Sequence, residues 1–229
     1  MEKIKRAKRE DREQLDIWED KDRCSRLQEY WGDYDLVAED PLRKNFVLTV
    51  LKLIKLTAGK LTTLLEVGCG TGHNLWEWRN SAKLFGLEYS HEMVKLIKEK
   101  FEGHDLEVVQ GDCWKMPYKD NAFDISVQMD VCLHIGGSWE SILEMLRVSK
   151  KYVVFTGPSF ENYKDIMSKK VKGKLTWGIS VPLLEKELNQ KRKEGKIKNY
   201  YYIHRPPHGK EKAGKIKHRI LVIEKGEKV

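Results

Sequence analysis

Leu64-Leu65-Glu66-Val67-Gly68-Cys69-Gly70-Thr71-Gly72-His73-Asn74-Leu75 is the stretch from which the fold of this chain is read. An apolar run ends in an acid, glycines recur at every second position, and a helical pattern follows. This order predicts a buried strand, a tight turn and a helix N-terminus. Glycine permits positive φ and removes the Cβ that would hold a ligand away from the backbone, so the turn suits a ligand lying on the main chain. The spacing is Gly68-x-Gly70-x-Gly72 rather than the G-x-G-x-x-G of dinucleotide binders, and the carboxylate of Glu66 sits just before the turn. A pyrophosphate at a helix N-terminus is poorly matched to that neighbour. An uncharged or cationic ligand is better matched.

Working outward, Lys83-Leu84-Phe85-Gly86-Leu87-Glu88 predicts a second buried strand ending in an acid, about 20 residues beyond the first motif glycine, where a ribose-binding carboxylate is expected. Ser90 then caps a helix through Met93, Ile97 and Phe101. Leu106-Glu107-Val108-Val109 predicts a third strand running into Gly111-Asp112-Cys113-Trp114. Met116-Pro117-Tyr118-Lys119-Asp120-Asn121-Ala122-Phe123-Asp124 leads into a fourth, Ile125 to Met129. A helix from Ser138 and a fifth strand at Tyr152 to Phe155 follow.

These matches, separated and in order, resemble the motifs of the Rossmann-like S-adenosylmethionine-dependent methyltransferases over about Leu64 to Phe155. The resemblance implies an α/β fold: a three-layer sandwich around a seven-stranded, mostly parallel Rossmann-like sheet with an antiparallel last strand and an N-terminal helical cap. It divides the chain into a cap or lid over residues 1–57 and a methyltransferase core over 58–229. S-adenosylmethionine is the implied cofactor. Glu66 and the loop Gly68, Cys69, Gly70, Thr71 and Gly72 would hold its methionine part, Glu88 its ribose, and Asp112 with the backbone N–H of Cys113 its adenine. Tyr89, Met93, Trp114 and Gln128 complete the cofactor-binding set, with Trp114 either stacking on the ring or covering the strand end. Asp130 and His134, on the exit of the fourth strand, are the expected catalytic pair. His134 acts there as a base or caps the loop. One departure is the missing Pro-Gly-Gly after Arg147-Val148, in a turn remote from the cofactor.

Outside these motifs the sequence is less specific. Asp40-Pro41 opens a helix whose Leu42, Phe46, Val50, Leu53 and Ile54 form a stripe expected to lie against the sheet. Tyr30, Trp31 and Tyr34 either roof the pocket as a lid or pack as core. Toward the C-terminus, Ser180 and Pro182 open a helix ending near Gly195. Asn199 to His204 and His218 to Glu224 are expected as an antiparallel strand pair.

At 229 residues the chain suits one sizeable domain with an accessory segment. Cys24, Cys69, Cys113 and Cys132 contain no C-x-x-C pair, which indicates neither a zinc site nor a disulfide framework and suits a reduced, cytoplasmic setting. No metal is implied. No stretch is long and apolar enough to span a bilayer, so no membrane partner is expected. The net charge of +8 fits either an anionic partner or a surface of stabilising charge networks. A small-molecule acceptor is the first expectation. RNA or protein, approached through Lys3, Lys5, Arg6, Lys8, Arg9 and the Arg205–Lys217 loop, is the alternative, and a non-catalytic binding subunit is the third.

Overall fold

The computed structural model describes residues 41–131, 134, 138–160, 168–170, 177–204 and 217–227. Strands β1 (Thr63–Val67), β2 (Lys83–Glu88), β3 (Leu106–Gln110), β4 (Phe123–Met129) and β5 (Ser149–Phe160) pair in parallel in the order β3-β2-β1-β4-β5. Their apolar runs are covered on both faces, as parallel strands joined by helical crossovers require. β1 is the extreme case, with Leu64, Leu65 and Val67 fully buried.

Two further short strands, β6 (Ser168–Lys170) and β7 (Trp177–Ser180), form an antiparallel pair, and β7 joins the end of β5 at Ser159 and Phe160. The sequence does not announce them. The last pair, β8 (Ile197–His204) and β9 (Lys217–Lys225), is antiparallel as expected, and β9 runs antiparallel to β5 from Tyr152 to Ser159. The seven expected strands thus stand in the order β3-β2-β1-β4-β5-β9-β8, with the β6–β7 pair added beside β5.

Helices α1 (Pro41–Thr57), α2 (His73–Trp78), α3 (His91–Lys100), α4 (Ser138–Val148) and α5 (Val181–Lys193) cover the sheet. Phe46, Val50, Leu53 and Ile54 of α1 pack with Leu75 and Trp78 of α2 and Ile97 of α3 against Leu64, Ile125 and Val127. On the opposite face Ile142, Met145 and Val148 of α4, with Leu184 and Leu188 of α5, pack against Leu65, Val67, Val153 and Phe155. Of the stripe expected on α1, Phe46, Val50, Leu53 and Ile54 therefore face the sheet, and the Leu42 side chain lies outside those described. The Ser90 hydroxyl accepts from Met93 N at the start of α3, and the Ser180 hydroxyl accepts from Leu183 N at the start of α5.

The connection from Met116 to Asp124 is held by packing and by one arginine. Tyr118 meets Phe123 edge-on at 4.8 Å between ring centroids, and Phe123 meets Phe85 of β2 at 4.9 Å. Arg147 of α4 donates to Glu144, Asp120 and the Met116 and Tyr118 carbonyls, while Met116 N donates to Glu144. Asp124 accepts from Thr63 N and from the Thr63 hydroxyl, tying the start of β4 to that of β1. The acids and aromatics of this motif are therefore fold determinants.

Replacing Arg147 with methionine should destabilise the protein by about 2–3 kcal/mol, because two loop carbonyls and two carboxylates lose charge-assisted donors. Chemical denaturation checks this, and a loss below about 0.5 kcal/mol would make the network ornamental.

Candidate functional site

Parallel pairing brings the motifs into one row. Val67 lies in register with Leu87, Glu88 with Gln110 and Met129 with Thr156, so the segments after β1, β2, β3 and β4 leave the same edge of the sheet. Open α/β sheets bind ligands at this edge.

The three glycines of the loop have positive φ, at 69°, 53° and 82° for Gly68, Gly70 and Gly72, but they serve different ends. A Cβ on Gly68 would fall 2.3 Å from Val131 Cγ2, and one on Gly72 would fall 2.7 Å from Ile97 Cδ1. Those two are required by packing within the chain, against the segment after β4 and against α3. A Cβ on Gly70 would meet nothing within 4 Å. Of the three, Gly70 is the one over which a side chain would find open space.

Two carboxylates flank the loop. Glu88 Oε2 accepts from Gly70 N at 2.9 Å and Oε1 accepts from Ser90 N at 2.9 Å. Its position is thereby fixed by two loop N–H groups. Glu66 is only 2% exposed. Its Oε1 accepts from Asn74 Nδ2 at 2.6 Å, and the Asn74 carbonyl accepts from Arg43 Nε at 2.9 Å. The other Glu66 oxygen, Oε2, is buried with no hydrogen-bond partner. Burial pushes the Glu66 carboxyl up to about 8, against the opposing pull of Asn74 and Arg43, and the Glu88 charge pushes the same way as burial. The loop thus lies beside two acids, one of which burial holds toward its neutral form.

The other expected residues fall around this edge. The Thr71 hydroxyl pairs with His73 Nδ1 at 2.6 Å at the head of α2. The Cys69 side chain is buried, and burial drives its thiol well above the ordinary range. Asp112 Oδ1 accepts from Trp114 N at 2.9 Å, which closes the turn after β3. Cys113 packs against the core, Met93 is buried in α3, and Tyr89 is exposed at the end of β2. Gln128 is fully buried, with Oε1 accepting from the Ser141 hydroxyl of α4.

Asp130 has φ of 57°, a left-handed conformation unusual for a side chain other than glycine. Its N donates to Thr156, and its Oδ1 accepts from the Thr156 hydroxyl at 3.0 Å. Strain of this kind needs surrounding structure to hold it and gathers at functional sites. His134, half-buried, donates its backbone N–H to the Val131 carbonyl. Tyr30, Trp31 and Tyr34 lie outside the described residues. Arg43, Asn74 and Thr156 are parts of the edge that no sequence motif marks. A polar Asn just inside α2 and a Thr directly after the apolar run of β5 were the only signals.

Residues 65–155 match the family model described as a methyltransferase domain. Over that stretch the chain is a methyltransferase domain, and its fold is that of the Rossmann-like S-adenosylmethionine-dependent methyltransferases. Among curated relatives, it is 30% identical to a phosphatidylethanolamine N-methyltransferase of Cereibacter sphaeroides, over 57% of this chain and 64% of that protein. It is 32% identical to a demethylmenaquinone methyltransferase of Oceanobacillus iheyensis, over 35% of this chain and 36% of that protein. The chain thus spans less than two thirds of either relative. The fold is similar to that of magnesium protoporphyrin IX methyltransferase from Synechocystis PCC 6803, solved with the methyl donor bound. That similarity has a TM-score of 0.63 at 14% identity and covers 95% of this chain and 98% of the other.

The residues fit the donor of this methyltransferase family on two observations. Open space lies over Gly70, and a buried Glu66 oxygen awaits a donor that an ammonium could supply. Among the described residues, no cluster of His, Cys, Asp and Glu is arranged to hold a metal ion.

Because the folded pKa of Glu66 lies above its ordinary value of 4.5, its contribution to stability is best below that value and worsens as pH rises toward 8. Glu66→Gln should therefore stabilise the unliganded protein more at pH 8 than at pH 5, the difference being on the order of 2–4 kcal/mol. Thermal denaturation of both proteins at the two pH values measures it. Equal effects at both would mean that Glu66 is not held against ionisation.

Proposed function

We propose that this methyltransferase fold is an active enzyme that transfers the methyl group of S-adenosylmethionine to a small-molecule acceptor. The observation that carries the proposal is the pair of carboxylates around Gly70, one buried and pushed toward neutrality, the other anchored by loop N–H groups. A cation relieves that arrangement, whereas a diphosphate would worsen it. The donor supplies a methyl group on a positively charged sulfur and an ammonium on its amino-acid end. In this proposal Glu66 takes the ammonium, Glu88 the ribose hydroxyls, and Asp112 with Cys113 N the adenine edge.

The chain's own residues then have to align and enclose. Helix α1 brings Arg43 to Asn74 and so fixes the direction of Glu66. The Thr156 hydroxyl fixes Asp130 beside the exit of β4. When the acceptor atom carries a proton, His134 is the base we assign to it, since a neutral imidazole accepts a proton near pH 7. Most of the rate enhancement is expected from orientation and exclusion of water, because in-line attack on a sulfonium asks little other chemistry of the protein. A small acceptor is supported by the curated relatives, which are named for phosphatidylethanolamine and demethylmenaquinone.

Incubation with the donor labelled in its methyl group, together with fractionated cell extract, tests the proposal. Label should collect in low-molecular-mass product, and label found in RNA or protein instead would refute the small acceptor. In calorimetry, Glu88→Ala should weaken donor binding by about 1.5–3 kcal/mol. Gly70→Val should abolish binding in a protein that circular dichroism shows to be folded, since the added side chain enters the open space over the loop. Unchanged affinity in either folded variant would remove that residue from the site.

A further inference from the structure

Between Pro41 and Leu65 the chain contains Arg43, Lys44, Lys52, Lys55 and Lys60 and no acidic residue. α1 turns its buried stripe of Phe46, Val50, Leu53 and Ile54 to the sheet. At about 100° per residue, its exposed positions Lys44, Leu48, Lys52, Lys55 and Leu56 fall within one arc of about 120° on the opposite side. Lys60 and Leu61 extend that surface in the short 3₁₀ turn Gly59–Leu61. Leu48 is 45% exposed, Leu56 74% and Leu61 84%, so three of the six large hydrophobics most open to water among the described residues lie in this one segment, between lysines.

We propose that this outer face of α1 and the turn after it form a docking surface for an anionic lipid bilayer. Single exposed leucines are unremarkable on a protein surface, but three interleaved with four lysines and no acid make a pattern that water alone does not call for. Lipid surfaces satisfy both halves of it: leucines enter the headgroup and acyl boundary while lysines stay at the negative headgroups. A second copy of the chain is a poorer occupant, because two-fold pairing of this face would set lysines against lysines. RNA would satisfy the lysines and leave the leucines in water. The absence of a spanning helix among the described residues bears on crossing a membrane, not on lying against one. The expectation of no membrane partner, drawn from the lack of a spanning stretch, is therefore set aside for this face. The surface is separate from the donor edge, and its binding needs neither donor nor acceptor.

Co-sedimentation of the full chain with vesicles tests the proposal, using phosphatidylcholine alone and phosphatidylcholine mixed with phosphatidylglycerol. The protein should partition onto the mixed vesicles far more than onto the neutral ones, and less as salt is raised. Lys52→Glu with Lys55→Glu should lower that partition at least about tenfold. Leu56→Ser with Leu61→Ser should lower it about tenfold, with circular dichroism and donor affinity unchanged. Failure of the wild-type chain to bind mixed vesicles would overturn the proposal. So would binding that survives the leucine changes, or self-association in light scattering that the leucine changes abolish. Tighter binding to RNA than to vesicles, lost with the lysines and kept without the leucines, would do the same. Because no methyl transfer is measured, an inactive enzyme would leave the result standing.

Discussion

A carboxylate placed almost wholly out of water governs this structure. Glu66 is the next-to-last residue of β1, where both faces of the strand are needed for the core, and its Oε2 is buried with no side-chain hydrogen-bond partner. An unpaired buried charge is among the more expensive features a fold can carry, and it is normally relieved by protonation or by a counter-ion. Here the relief inside the chain is incomplete. Asn74, the Arg43 charge and the Leu75 backbone all favour the ionised form, yet burial still lifts the carboxyl to about 8. The arrangement is poorer for the empty protein than for one that receives a cation.

The rest of the sheet edge supports that carboxylate. The glycine loop is shaped mostly by the chain's own needs, since Gly68 admits Val131 and Gly72 admits α3. Gly70 alone faces open space, and its N–H fixes Glu88. Strained backbone at Asp130 and its tether to Thr156 show the same economy at the end of β4, where a side chain is held in place against its own conformational preference. α1 has two unlike faces: its inner side reaches Asn74 through Arg43, and its outer side is basic and apolar.

Much of this was legible in the residues. The strand, turn and helix at Leu64 to Leu75, the acid ending β2 and the Ser caps of α3 and α5 follow from local rules, because each depends on neighbours close in sequence. The roles of Asp124 and Arg147 were not legible. They hold β1, β4 and α4 together across separations of 61 and 27 residues, and only the folded chain brings those partners near. Asn74, Arg43 and Thr156 were missed for the same reason. The β6–β7 pair was missed because two strands of 3 and 4 residues carry too little periodicity to register. The lid expected at Tyr30, Trp31 and Tyr34 and the basic arm before it belong to residues 1–40, outside those described.

The central claim is that Glu66 is kept near neutrality by burial until a cationic donor makes its ionised form favourable. Carbon-13 detection of the Glu66 carboxyl, assigned by its loss in Glu66→Gln, follows that group through a pH titration with and without S-adenosylmethionine. The account predicts a midpoint near 8 for the protein alone and a shift down into the ordinary carboxylate range when the donor binds. A midpoint near 4.5 in the free protein, or one that the donor leaves unmoved, would contradict it.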